Sequence, residues 1–321
     1  MIKKISVSIL IILLAISLFA GCSVEKSKTG DDNKLNIVCT VFPQYDWVKN
    51  ILGSKAENAN ITLLLDSGTD LHSYQATAED FVTLAQSDLF IYIGGASDNK
   101  WVSDALKTAG DINLLNLLSA LGSSAKIEEE VAGMQKEDEE EEEEFDEHIW
   151  LSLKNAAALC SVICDAICKI DPENTALYRE NTENYIADLN SLDAEFEEAV
   201  NGSAFNTILF ADRFPFRYLC SDYNITPYAA FSGCSAETEA SFETIAGLAK
   251  AIDELSLPAV AVTESSDKSI AKTVIENTVS KNQKIVVFDS LQSVTKQTLS
   301  SGKTYIGSMR ENLSALKNAL N

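Results

Sequence analysis

The chain has 321 residues, with 25 lysines and arginines set against 48 aspartates and glutamates, a formal net charge of −23 at pH 7, and only two histidines. So acidic a balance is hostile to nucleic acid as a partner, because the phosphate backbone is held by clustered basic side chains, although about half of the charge sits in one run and the rest of the chain is only mildly acidic. The part that follows the N-terminal segment is about 290 residues long, more than one hydrophobic core usually fills, so two lobes are expected.

The N-terminal segment reads as an export signal over residues 1–21. Lys3 and Lys4 give a positive start, Ile5 to Phe19 is almost unbroken apolar sequence, and Ala20, Gly21 and Cys22 follow. That run is too short to span a membrane with normal flanks. Ala20-Gly21-Cys22 resembles a bacterial lipobox, which implies cleavage before Cys22, a lipid on its thiol, and an extracytoplasmic protein anchored to the outer face of the cell membrane. Residues 22–34 are rich in Ser, Lys, Asp and Gly without apolar period, the composition of a flexible tether.

Beyond the tether, short apolar runs alternate with helical patterns. Leu35 to Val41 reads as a buried strand, and Pro43 precedes a helix over Tyr45 to Leu52. Ile61 to Leu65 reads as a strand, Thr77 caps a helix through Ala85, and Leu89 to Ile93 is a strand broken by Gly94-Gly95. The same alternation returns with strands at Thr207 to Phe210, Pro227 to Phe231, Ala259 to Val262 and Lys284 to Phe288, and a closing helix near Tyr305 to Leu320. Such alternation predicts an α/β fold with two parallel-sheet lobes, an N-terminal one over 35–173 and a C-terminal one over 201–321. Between them, in 174–200, Tyr185, Leu189, Leu192, Phe196 and Val200 share one helical face. At about 1.5 Å per residue this segment reaches about 40 Å, long enough to join the lobes as a single strut.

Two other features stand out in chain order. The loop 126–147, placed with the N-terminal lobe, contains thirteen acids between Glu128 and Glu147, opposed there by Lys136 alone, roughly half of the whole net charge. It reads as a solvated loop, or as a collector that raises the local concentration of cations beside His148. Cys160, Cys164 and Cys168 repeat every four residues on an apolar helix, a spacing that makes them small buried hydrophobes before a soft-metal or redox group. Cys220 and Cys234 are a candidate disulfide in an exported protein.

The two histidines direct attention to a metal. Imidazole is the commonest side chain for divalent transition metals, and His72 and His148 each stand in a loop beside acids. In α/β sheets ligands bind beyond the carboxyl ends of the strands. His72 follows the second strand, Asp212 and Arg213 follow the strand ending at Phe210, Glu264 follows Val262, and Asp289 follows Phe288. Loops of both lobes thus offer nitrogen and oxygen ligands to one cleft.

Several separated runs carry a family resemblance, in order along the chain. Ile37-Val38-Cys39-Thr40-Val41-Phe42-Pro43, Gly68-Thr69-Asp70-Leu71-His72-Ser73-Tyr74, Asp146-Glu147-His148-Ile149-Trp150-Leu151-Ser152 and Tyr305-Ile306-Gly307-Ser308-Met309-Arg310-Glu311 resemble those of the substrate-binding lipoproteins of ABC importers for zinc and manganese. The resemblance implies two α/β lobes joined by one long helix, with Zn2+, or Mn2+ second, held between them by a monomer that delivers it to an ABC importer permease. It implies four ligand positions: His72, His148, a third after the first strand of the C-terminal lobe, and Asp289. At the third position this chain has Arg213, whose guanidinium has no lone pair to give a cation. Asp212 is the favoured substitute; Glu237, Glu239, Glu264 or water are the others, and Arg213 is free to pair with a carboxylate and hold the cleft in shape. Two imidazoles with one or two carboxylates suit zinc, and more oxygen favours manganese. The mechanism implied is capture and delivery without a chemical step. A metal-dependent hydrolase and a surface adhesion lipoprotein are the alternatives from other classes.

Overall fold

A computed structural model of the chain describes residues 34–109, 112–135, 144–233 and 239–321. The signal segment, Cys22, the tether before Lys34, acids 137–143, Cys234 and Glu237 lie outside the described residues.

The N-terminal lobe is built on β1 (Asn36–Cys39), β2 (Asn60–Leu63), β3 (Leu89–Tyr92) and β4 (Asn113–Asn116), a parallel sheet in the order β2-β1-β3-β4. The C-terminal lobe repeats that plan with β5 (Thr207–Phe214), β6 (Thr226–Ser232), β7 (Ala259–Thr263) and β8 (Lys284–Phe288) in the order β6-β5-β7-β8. Each sheet reverses its winding direction once, between β1 and β3 and between β5 and β7, the kind of point at which open α/β sheets form a crevice.

Most elements stand where the apolar pattern places them, and the differences have local causes. Helix α1 (Phe42–Leu52) starts three residues before the expected Tyr45, because Pro43 fits a first helical turn that needs no amide hydrogen from it. Helix α2 (Ala78–Ala85) begins at its expected cap, where Thr77 and Asp80 exchange side-chain bonds to each other's backbone amides. Helix α3 (Ala96–Ala109) and the edge strand β4 were not anticipated; β4 is four residues with asparagine at both ends and a half-open face, too short and polar for a period to show. A larger correction concerns β5, which runs on to Phe214. Asp212 and Arg213 therefore lie within the strand, where its pairing with β6 slips between Phe210 and Arg213, instead of in a loop after it.

After α4 (Leu117–Leu121), the stretch leading into the acidic run leaves its own lobe and lies along β6. Ala132 pairs with Tyr228, Ala229 N–H donates to Ala132 O at 3.1 Å, and Gln135 N–H donates to Ala230 O at 2.9 Å. The two ends of the run then close on each other as a short hairpin. Ile127 faces Phe145, Glu128 N–H donates to Glu144 O, and Asp146 N–H donates to Lys126 O, both at 2.8 Å.

Helix α5 (Leu153–Ile170) buries Cys160, Cys164 and Cys168 with Leu159, Ile163 and Ile167, so the three thiols pack as small apolar groups. Burial raises the Cys160 thiol well above its ordinary value. Cys220 is likewise buried, and burial pushes its thiol up.

The 27-residue helix α6 (Thr175–Asn201) joins the lobes. On the N-terminal side, Asn181 Nδ2 donates to Ile51 O at 3.0 Å and Tyr185 OH reaches Asp46. On the C-terminal side, Phe196 stacks on Tyr223 with ring centres 5.2 Å apart and Glu195 pairs with Arg310. One hydrophobic core runs through both lobes, from Trp47 and Trp150 to Phe210, Phe216 and Phe288. At its centre Tyr305, which opens helix α10 (Tyr305–Ala319), stands edge-on to Trp47 and donates its hydroxyl to Trp150 O at 2.6 Å. A second core lies between the outer face of the C-terminal sheet and helices α8 (Phe242–Leu255) and α9 (Ser269–Glu276).

Candidate metal centre

Two loops of the N-terminal lobe bring His72 and His148 together. The first is a turn after β2 in which Asp70 Oδ1 accepts the Ser73 amide at 2.9 Å, rounding the chain so that His72 faces the cleft. The second is the exit of the acidic hairpin, where Asp146 Oδ1 accepts both the backbone amide of His148 at 2.9 Å and its ring Nδ1 at 3.0 Å. The turn Ile149–Leu151 follows and roots His148 in the core through Trp150, whose Nε1 donates to Ser290 O at 2.9 Å.

The Nε2 atoms of the two histidines stand 3.1 Å apart. Two imidazoles bound to one tetrahedral zinc at about 2.0–2.1 Å place their nitrogens about 3.3 Å apart, close to the separation observed. Each ring is held from behind through Nδ1: His72 lies 2.9 Å from Ser97 Oγ and 3.2 Å from Glu147 Oε2, and His148 lies 3.0 Å from Asp146 Oδ1. At His148 the ionised Asp146 carboxylate only accepts, so it selects the tautomer with hydrogen on Nδ1 and leaves the lone pair on Nε2. At His72 the hydrogen-bond partner of Nδ1 is the Ser97 hydroxyl, which donates or accepts, while Glu147 Oε2 adds its charge without a hydrogen bond. With both Nε2 lone pairs turned to each other at this distance, the rings repel unless a cation or a shared proton lies between them.

The local charges favour that arrangement. Burial opposes ionisation of Glu147, but the His72 ring and the Ser97 amide outweigh it and hold the carboxyl below its usual range. Burial also opposes charge on His148, yet Asp146 first, then Glu128 and Glu147, raise its pKa above the ordinary value. Asp98, beneath Glu147, is pushed up to about 7 by burial, with the amides of Ile93 and Gly94 pulling the other way and Glu147 adding to the rise. Two glycines admit this packing. A side-chain carbon at Gly95 would collide with the Glu147 carboxylate, and one at Gly233 would press on His148 and Glu128.

Three acids of the C-terminal lobe, Asp212, Glu264 and Asp289, are already engaged. Asp212 accepts from Thr263 N at 2.9 Å and Thr263 Oγ1 at 2.7 Å with one oxygen, and from the Arg213 amide at 2.8 Å with the other. Glu264 accepts the Ser290 amide and hydroxyl, both at 2.8 Å. Asp289 Oδ1 accepts the Leu291 amide at 2.9 Å, while Oδ2 pairs with Lys303. Glu239 is exposed. Among the described residues no three His, Cys, Asp or Glu side chains converge as a ligand set, so the structure unites the two histidines and leaves Asp212 and Asp289 with other partners. Arg213 pairs with Asp70 at 3.0 Å, across the lobes.

Sequence reasoning did not single out Ser97, Glu147 or Arg217. Glu147 and Arg217 carried no periodicity to mark them, but both Asp70 and Asp146 stand two residues before a histidine, and that repeated spacing was a readable signal.

A family model described as ZnuA, zinc-uptake complex component A periplasmic, matches residues 37–319. The zinc-binding lipoprotein AdcA of Streptococcus pneumoniae is 31% identical over 318 residues, which are 98% of this chain and 60% of that protein. This chain thus spans about three fifths of its length. The high-affinity zinc uptake system protein ZnuA of Bacillus subtilis is 28% identical over 325 residues, covering all of this chain and 99% of that one. The crystal structure of the Zn(II)-bound ZnuA-like domain of Streptococcus pneumoniae AdcA superposes with a TM-score of 0.70 at 26% identity, over 89% of this chain and 99% of that one.

Proposed function

The chain belongs to the family of zinc-uptake complex component A periplasmic proteins, and from that premise we propose that it captures zinc outside the cytoplasm and delivers it to the permease of an ABC importer. The observation that carries this reading is the pair of Nε2 atoms 3.1 Å apart, with the His148 ring bonded from behind to Asp146 and the His72 ring bonded to Ser97 beside the Glu147 carboxylate. That geometry supplies two imidazole nitrogen donors at a spacing suited to zinc, with the Asp146 carboxylate to raise the basicity of His148. His72 and His148 are the first ligands. Asp289 completes the set by exchanging Lys303 for the metal, and Asp212 or water occupies the remaining position. Zinc is the favoured cargo because nitrogen donors lead the set; manganese, which prefers more oxygen, is second.

In this reading residues 1–21 direct export, a lipid on Cys22 anchors the mature chain to the outer face of the membrane, residues 22–34 are the tether, and a monomer meets the permease. The protein's own work is binding and release. The family is one of uptake components, which favours capture and delivery over the hydrolase and adhesion readings.

Calorimetry on the chelator-stripped protein, with manganese as competitor, tests the proposal. Zinc binds tightly to the parent, and His72→Ala or His148→Ala weakens it on the order of a thousandfold, roughly 4 kcal/mol. Unchanged affinity in both variants overturns the site.

A further inference from the structure

The two histidine loops are built alike, and each is tied to the same short segment of the opposite lobe. Asp70 precedes His72 by two residues, as Asp146 precedes His148. In each aspartate Oδ1 shapes its own loop, on the Ser73 amide and on the His148 amide and ring. Oδ2 in each accepts a guanidinium from the C-terminal lobe: Arg213 at 3.0 Å for Asp70, and Arg217 at 3.2 Å for Asp146. Arg213 lies at the end of β5, and Arg217 opens helix α7 (Arg217–Asp222) four residues later. The second tie is the more enclosed, with Asp146 fully buried and Arg217 11% exposed. Arg217 also donates to Glu129 O and lies over the Phe214 ring.

We infer that Arg213 and Arg217 are a paired positioning device, through which the C-terminal lobe holds both histidine loops in their metal-binding arrangement and lets them go when the lobes separate. The inference rests on the zinc reading above. An arginine cannot ligate the cation, so the lobe acts through the aspartates. A charge-assisted bond fixes each carboxylate, and each carboxylate fixes the loop that presents an imidazole. Because both ties cross from one lobe to the other, a permease that shifts the lobes apart removes both supports together. His72 and His148 then lose their fixed spacing, and the metal leaves without any ligand being protonated.

Zinc release tests this in the full chain, with stopped-flow measurement against excess chelator alongside equilibrium competition. Arg213→Gln and Arg217→Gln each accelerate release about tenfold or more, the usual reach of an outer support. Arg217→Lys, which keeps the charge, recovers part of the loss. Lys296→Gln breaks the exposed inter-lobe pair with Asp66, touches neither aspartate, and leaves release unchanged. Thermal unfolding of the metal-free variants stays within a few degrees of the parent. A double Arg213→Gln, Arg217→Gln variant that releases zinc at the parental rate overturns the device while the zinc reading stands. Equal acceleration by Lys296→Gln overturns it as well, since any inter-lobe tie would then serve. A parent chain that holds no zinc overturns both.

Discussion

The two lobes share a sheet plan and differ in what they bring to the cleft. The N-terminal lobe offers two imidazoles whose Nε2 atoms meet 3.1 Å apart, one ring bonded to Asp146 and the other to Ser97 beside Glu147. The C-terminal lobe offers oxygen ligands that are all occupied, Asp212 by Thr263, Glu264 by Ser290 and Asp289 by Lys303. In the proposed zinc site one half is formed in advance, and the other half would form by exchange of partners. Pre-formed ligands set how tightly the metal is held, because their ordering cost is met during folding. Exchangeable ones set how the metal-free cleft avoids carrying unbalanced charge.

Changing the exchange itself has the largest effect on this contrast. Asp289→Asn weakens zinc roughly ten- to hundredfold by competition titration, whereas Lys303→Gln, which frees the carboxylate, moves affinity the other way. If Asp289→Asn binds zinc as the parent does, the C-terminal lobe contributes no acid and the N-terminal pair suffices.

Acidity tests the pre-formed half. His148 has a raised pKa in the metal-free protein, so a proton competes for the cleft from above the ordinary histidine value of about 6.5 downward. Zinc affinity falls as pH drops through that range, by up to about tenfold per unit for each proton displaced. The metal-free protein behaves oppositely. A raised folded pKa contributes stability that is complete below the unfolded value and is lost as pH rises through the folded one. Thermal unfolding with and without zinc across pH 5.5–8 reads both trends, and parallel trends contradict the shared-proton arrangement.

The smallest effect belongs to the acidic run. Removing Glu137 to Glu143, which spares Glu144 in the hairpin, slows zinc association at low salt and leaves equilibrium affinity within about twofold, since long-range charge steers encounter more than it holds a bound ion. A large loss of affinity would place a ligand in the run.

The sequence showed the sheet lobes well because fully buried parallel strands read as short apolar runs; β8 matches its expected bounds, Lys284 to Phe288, at both ends. It showed β4 poorly because edge position replaces apolar pattern with asparagines. His72 and His148 were legible through their scarcity and their loops. Their supports were not, since Glu147 and Arg217 act across 75 and 71 residues of chain respectively, on His72 and Asp146, and no local period encodes a contact of that span. Arg213 showed its incapacity as a ligand in its side-chain chemistry, and only the fold supplied its partner, Asp70.

The hairpin that closes the acidic run bears on how such a chain can vary. With Glu128 bonded to Glu144 and Lys126 to Asp146, the ends are fixed whatever lies between them, and the entropy of closing a loop grows only with the logarithm of its length. Doubling the run costs about 0.6 kcal/mol, and the strain of a longer insert stops at the hairpin before it reaches His148. The segment therefore tolerates a change in length at almost no expense to the binding site, a tolerance set by the hairpin bonds and by the pairing of Ala132 and Gln135 along β6.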